Sequence, residues 1–71
     1  MVSSEDMAWI IRGKMVEMRV KSQAQMAKRI GISAQLFSSY LTGKVAIPLP
    51  TLSRICSYLN MSQEERGAFL M

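Results

Sequence analysis

The chain has no histidine and only one cysteine, Cys56, among its 71 residues. That scarcity leaves no ligand set for a zinc site and no intramolecular partner for a disulfide. Cys56 shares an apolar helix face with Leu52, Ile55 and Leu59 and reads as a small buried side chain, not a reactive thiol. No nucleophile is paired with a base and no glycine-rich phosphate loop is present, so an enzyme is not expected. No apolar run reaches the roughly eighteen residues of a membrane span, and no apolar signal region follows Met1. A soluble cytoplasmic protein is expected, with no membrane, cofactor or small-molecule partner. Proline is confined to Pro48 and Pro50, and no Asn-Gly or Asp-Gly hairpin signal occurs. Repeats, linkers and low-complexity runs are also missing, so residues 1–71 read as a single domain.

Acids are the next scarcity. There are five against nine Lys and Arg, for a net charge of +4. Their placement matters more than their number. Glu5, Asp6 and Glu17 lie near one end and Glu64 and Glu65 near the other. Between Glu17 and Glu64 stand only cations: Arg19, Lys21, Lys28, Arg29, Lys44 and Arg54. A basic body between two acidic ends is the electrostatic footprint of a phosphate-backbone binder.

What is present is helical periodicity throughout. Ser3 or Ser4 caps a first helix, with Glu5 and Asp6 favoured by the dipole in its first turn and an end near Arg19. Met7, Ile10, Ile11, Met15 and Met18 form its core stripe, and Lys14 within that stripe is expected to snorkel outward. Trp9 and Val16 lie on the opposite side, either as a second packing surface or half-covered by neighbouring stems. Gly13, inside the helix, costs roughly 1 kcal/mol against alanine and is expected to serve close packing. Val20 and Lys21 form a tight connection to the next element.

That element, Gln23 to Lys44, organises the chain. Ser22 and Gln25 form a capping-box pair opening a second helix, in which Met26, Ala27 and Ile30 repeat on one stripe. Gly31 ends it in a left-handed conformation. Ile32 turns inward, and Ser33 caps a third helix running to about Thr42 and stopping at Gly43. On this third helix Leu36, Phe37, Tyr40 and Leu41 share one side. Ala34, Gln35, Ser38, Ser39 and Thr42 share the other, which carries no Lys, Arg, Asp or Glu. A solvated helix face ordinarily carries charge. Small side chains, hydroxyls and one amide instead suit close approach to base-pair edges.

After Lys44 the apolar loop VAIPLP leads to a fourth helix begun by Pro50, with Leu52, Ile55, Cys56 and Leu59 on one face and Asn60 as its C-cap. Ser62 and Glu65 open a fifth helix that runs to the C-terminus, ending in Ala68, Phe69, Leu70 and Met71. So short a helix must dock on its own domain or on another copy. The seven methionines suit adaptable packing better than a metal or cofactor box.

The stretch from Ser22 to Leu59 resembles the helix-turn-helix of the phage Cro/repressor family. The resemblance is carried by Gln23 opening the first motif helix, small Ala27, Gly31 in the turn, Ile32, Phe37 and Tyr40 in the core, and Gly43, Lys44 and Pro48 beyond. It implies an all-α, lambda-repressor-like domain of five short helices with the motif at helices two and three. The chain has the size of a Cro protein of a lambda-like temperate phage, not of a full repressor. The resemblance further implies a repressor that binds pseudo-palindromic double-stranded operator DNA as a homodimer, with the second motif helix in the major groove and the first across the backbone.

Under that reading Gln35 is the foremost base reader, because an amide can bond adenine N6 and N7 together. Ser38, Ser39 and Ala34 are further base contacts, Ala34 through a thymine methyl. Gln23, Ser33, Thr42, Lys44 and Lys21 are expected on phosphates. The family often carries longer amide or basic side chains at the positions of Ala34 and Ser39, so DNA shape is expected to share in the specificity. Tyr58, Met61, Phe69, Leu70 and Met71 are expected to form the dimer interface, because they amount to more apolar surface than so small a domain can readily hide. The alternative is a helical protein-interaction module, such as an antirepressor or adaptor, on the same fold.

Overall fold

The computed structural model describes residues 2–70 and is helical, with no strand among the described residues. Its elements are α1 (Ser4–Glu17), α2 (Gln23–Ile30), α3 (Ala34–Leu41), α4 (Leu49–Tyr58) and α5 (Gln63–Gly67), closed by a 3-10 turn over Ala68–Leu70. The all-α expectation and the helix-turn-helix at α2 and α3 are met.

Serine starts four of these helices. The hydroxyls of Ser3, Ser22, Ser33 and Ser62 accept from the backbone N–H of Asp6, Gln25, Leu36 and Glu65 at 3.0–3.1 Å. At α5 the box is reciprocal, Glu65 accepting from the Ser62 N–H at 2.9 Å. Proline starts the remaining helix, with Pro48 as N-cap and Pro50 in the first turn, where a missing N–H is harmless.

Four helices also end alike. Arg19, Gly31, Gly43 and Asn60 each take a positive φ, of 56°, 84°, 76° and 54°. The residue that follows turns back to a helix carbonyl: Val20 to Met15, Ile32 to Ala27, Lys44 to Ser39 and Met61 to Cys56, at 3.0–3.1 Å. This bond satisfies carbonyls left without partners at a helix end and turns the chain sharply. It also drives the following apolar residue inward, wholly for Met61 and partly for Val20 and Ile32.

The core is continuous. Phe37, Phe69, Ile11, Met26, Ile55 and Leu59 are its largest fully buried members, and Ile47 joins it from the loop before α4. Cys56 is buried as expected, and burial raises its thiol pKa. No helix among the described residues is long and apolar enough to cross a membrane.

Several expectations are corrected. Lys14 does not reach open solvent. Its side chain keeps 9 % of its surface and bridges Glu65 at 2.6 Å and Glu17 at 3.3 Å. That pairing ties α1 to α5, holds the Glu65 carboxyl below its ordinary pKa and raises that of Lys14. Gly13 serves no close packing within the fold, since a Cβ there would meet nothing within 4 Å. Met18 is exposed beyond the end of α1, and Ala8 takes a core place instead. Trp9 and Val16 are not half-covered but stand 73 % and 78 % exposed. The fifth helix breaks after Gly67 into the 3-10 turn.

That break bears on the expected dimer face. Phe69 swings into the core beneath the N-terminus, where its carbonyl accepts from the Val2 N–H, and Met61 is buried as well. A domain this small needs its large apolar side chains for its own core. Both are taken up by the domain's own core. Tyr58 and Leu70 remain exposed, and Met71 lies outside the described residues.

Candidate nucleic-acid interface

The two motif helices pack closely, buried Met26, Ala27 and Ile30 on α2 facing the same core as Phe37, Tyr40 and Leu41 on α3. Small Ala27 is fully buried, which lets the helices approach. Helix α1 also packs against α3, and its first turn meets the end of α3 at Gly43. A Cβ on Gly43 would lie 2.8 Å from the Glu5 Cα. The recognition helix is thereby held at both ends.

With one flank of α3 in the core, the other is open. Ala34, Gln35, Ser38 and Thr42 are exposed and Ser39 is half-buried. The hydroxyls on this face are not equivalent. Ser39 donates to the Gln35 carbonyl at 3.2 Å and Thr42 to the Ser39 carbonyl at 3.1 Å. Each then keeps only acceptor capacity toward a ligand. Ser33 accepts from its own helix, so its hydroxyl proton is available to a phosphate oxygen.

A groove runs along the foot of this helix, lined by Gln23 from α2, Ser38, Leu41 and Thr42 from α3 and its end, and Arg12, Met15, Val16 and Val20 from α1 and beyond. It brings together Gln23, Ser38 and Thr42 of the expected set. It also adds Arg12, which sequence reasoning missed. Its signal was weak, because Arg12 precedes the motif and lies on the Trp9 side of α1, with its guanidinium 5.9 Å from the indole centroid. Lys21 is not in this groove. It lines a neighbouring one with Arg19, Ser22, Gln25 and Tyr58. Lys44 stands exposed just past the end of α3.

Electrostatics favour an anion here. The first turns of α2 and α3 contain no acid, whereas those of α1 and α5 carry Glu5, Asp6, Glu64 and Glu65. The positive end of each motif helix is thus left uncompensated. Among the described residues the ion pairs are Lys14–Glu17 and Lys14–Glu65, both away from this face.

A helix-turn-helix with an uncharged recognition face and cations around it defines a DNA-binding domain, and comparison of the chain with known families agrees. Residues 11–65 match the Cro/C1-type HTH DNA-binding domain, and the chain belongs to that family. No curated protein and no solved structure matches it significantly.

Proposed function

We propose that the protein is a sequence-specific transcriptional repressor of the phage Cro type. It binds pseudo-palindromic operator DNA as a homodimer, in the bacterial cytoplasm and without catalytic activity. The observation that carries this reading is the charge-free, hydrogen-bonding face of α3 between cationic flanks. Such a face gains little from solvent but complements base edges in a major groove.

The roles follow from position. Gln35, in the first turn of α3, reads a base through its amide, with Ser38 and Ala34 beside it. Ser39, its proton already engaged, accepts from a base amino group. Gln23, Ser33, Lys44 and Lys21 hold phosphates, Arg12 joins them from α1, and Thr42 does so once its hydroxyl turns away from the Ser39 carbonyl. Base contacts specify while phosphate contacts fix register. Repression follows from occupancy of promoter DNA.

A salt titration of binding to duplex DNA tests this reading. If two subunits neutralise roughly 6–10 phosphates, affinity falls about 10³–10⁵-fold between 50 and 200 mM salt. A flat response would instead favour a protein-binding module on the same fold.

A further inference from the structure

The outer face of α1 is apolar and uncovered. Trp9, Gly13 and Val16 recur at helical spacing there, with Trp9 73 % and Val16 78 % exposed. Gly13 lies between them at a helix-interior position that disfavours glycine, yet nothing in the fold occupies the space its Cβ would take. Together they form a shallow concavity, walled by Trp9, Arg12 and Val16 with Gly13 as its floor.

Its charge is arranged end to end. Glu5 and Asp6 lie before Trp9, and Arg19 and Lys21 follow Val16, all exposed. We infer that this face is a self-association surface, on which α1 of a second copy lies antiparallel and crosses near Gly13. Centred between Arg12 and Gly13, that crossing sets Trp9 of each copy on Val16 of the other, each indole filling space that a side chain at Gly13 would block. It also sets the acidic first turn of each helix against the basic end of its partner. A parallel arrangement would oppose like charges.

Tyr58 is a poorer centre for such a contact. The grooves beside it are lined by Arg19, Lys21, Arg29 and Arg54, four cations that would repel a second copy, against the single Arg12 of the α1 face, which lies over its own Trp9. Arg12 and Val16 line both the α1 face and the groove at the foot of α3, so a copy docked on α1 sits beside the DNA-facing surface.

The patch is small. An aromatic side chain contributes on the order of 150–250 Å², and the whole face stays below the roughly 800 Å² per partner of a stable interface. Association is therefore weak in free solution and takes effect when one DNA molecule holds two copies close together. The proposal deepens the homodimer part of the function above and rests on it, but its test needs no DNA.

Trp9 is the only tryptophan, so its emission reports the contact directly. Raising the full-length protein from micromolar to millimolar concentration should shift that emission to the blue and raise the mass seen by sedimentation equilibrium. Gly13→Gln should raise the thermal midpoint, as a better helix former with open space to enter, while weakening association about tenfold or more. A purely structural glycine would not separate the two. Asp6→Lys and Arg19→Asp should each weaken association, and the double variant should restore it. The proposal is overturned if the protein stays monomeric to millimolar concentration, if Gly13→Gln associates like the parent, or if the double variant is no better than either single one. A protein that binds DNA as salt requires yet fails these tests would leave the DNA reading intact.

Discussion

At the residue scale, the proposed function assigns base contact and phosphate contact to different side chains. Gln35 is the only long hydrogen-bonding side chain on the open face of α3, and a bidentate amide–adenine pair is worth roughly 1–3 kcal/mol against the wrong base. Gln35→Ala should relax preference at one position in each half-site and leave the salt slope nearly intact. Lys44→Ala and Arg12→Ala should do the reverse, weakening all sequences alike and lowering the slope by about one contact per subunit. Titration of the three variants against operators substituted one base pair at a time separates the roles. A uniform loss for Gln35→Ala would make that residue a positioning group. The two turn glycines also divide. Both have a positive φ, so alanine at either costs about 1–2 kcal/mol. At Gly31 the nearest atom to a new Cβ is the end of the Arg54 side chain at 3.6 Å, an ordinary contact. At Gly43 the Glu5 backbone stands in the way, which adds roughly 1–3 kcal/mol of overpacking. Denaturant unfolding should therefore rank Gly43→Ala as the more damaging change, and equal losses would contradict the α1–α3 contact.

At the scale of elements, the caps were legible and the packing partners were not. Ser3, Ser22, Ser33 and Ser62 announce helix starts through local chemistry, and Gly31 and Gly43 announce ends, because these depend only on neighbours in sequence. Lys14 and Phe69 show the opposite case. Nothing local tells a lysine in an apolar stripe that Glu65, fifty-one positions away, will meet it at 2.6 Å. Nor does an apolar C-terminus reveal whether its own core or another copy will take it. Arg12 was missed for the same reason, being brought to α3 only by tertiary packing. The Lys14–Glu65 link has a pH signature. The carboxyl is held below the ordinary glutamate value of 4.5, chiefly by its bond to Lys14, so the stability it contributes is present above that value. That contribution is lost as pH falls through the depressed folded value. Lys14, raised above 10.5, loses its share only as pH rises beyond that point. Glu65→Gln keeps a capping side chain but removes the charge. Its thermal midpoint should lie below the parent's through neutral pH and converge with it in acid. A gap that persisted below the carboxylate range would assign the loss to the cap, not the ion pair.

At the scale of the whole molecule, the charge pattern is arranged more finely than a basic body between acidic ends. Glu17 and Glu65 are taken up by Lys14, and Glu5 abuts the end of α3. Arg12 remains beside the open face of α3, Lys44 just past its end and Lys21 near the start of α2, each outside the ion pairs of the described residues. One helix so placed reads only a few base pairs, and the known solution for this motif is two copies on half-sites one helical turn apart. The central claim is therefore sequence-specific recognition by paired recognition helices. Selection of bound duplexes from random-sequence DNA tests it most directly. The predicted result is enrichment of a pseudo-palindrome whose half-site centres lie about 10–10.5 base pairs apart, with one adenine position in each half-site lost in Gln35→Ala. Binding without any enriched sequence, or no binding at low salt, would contradict it.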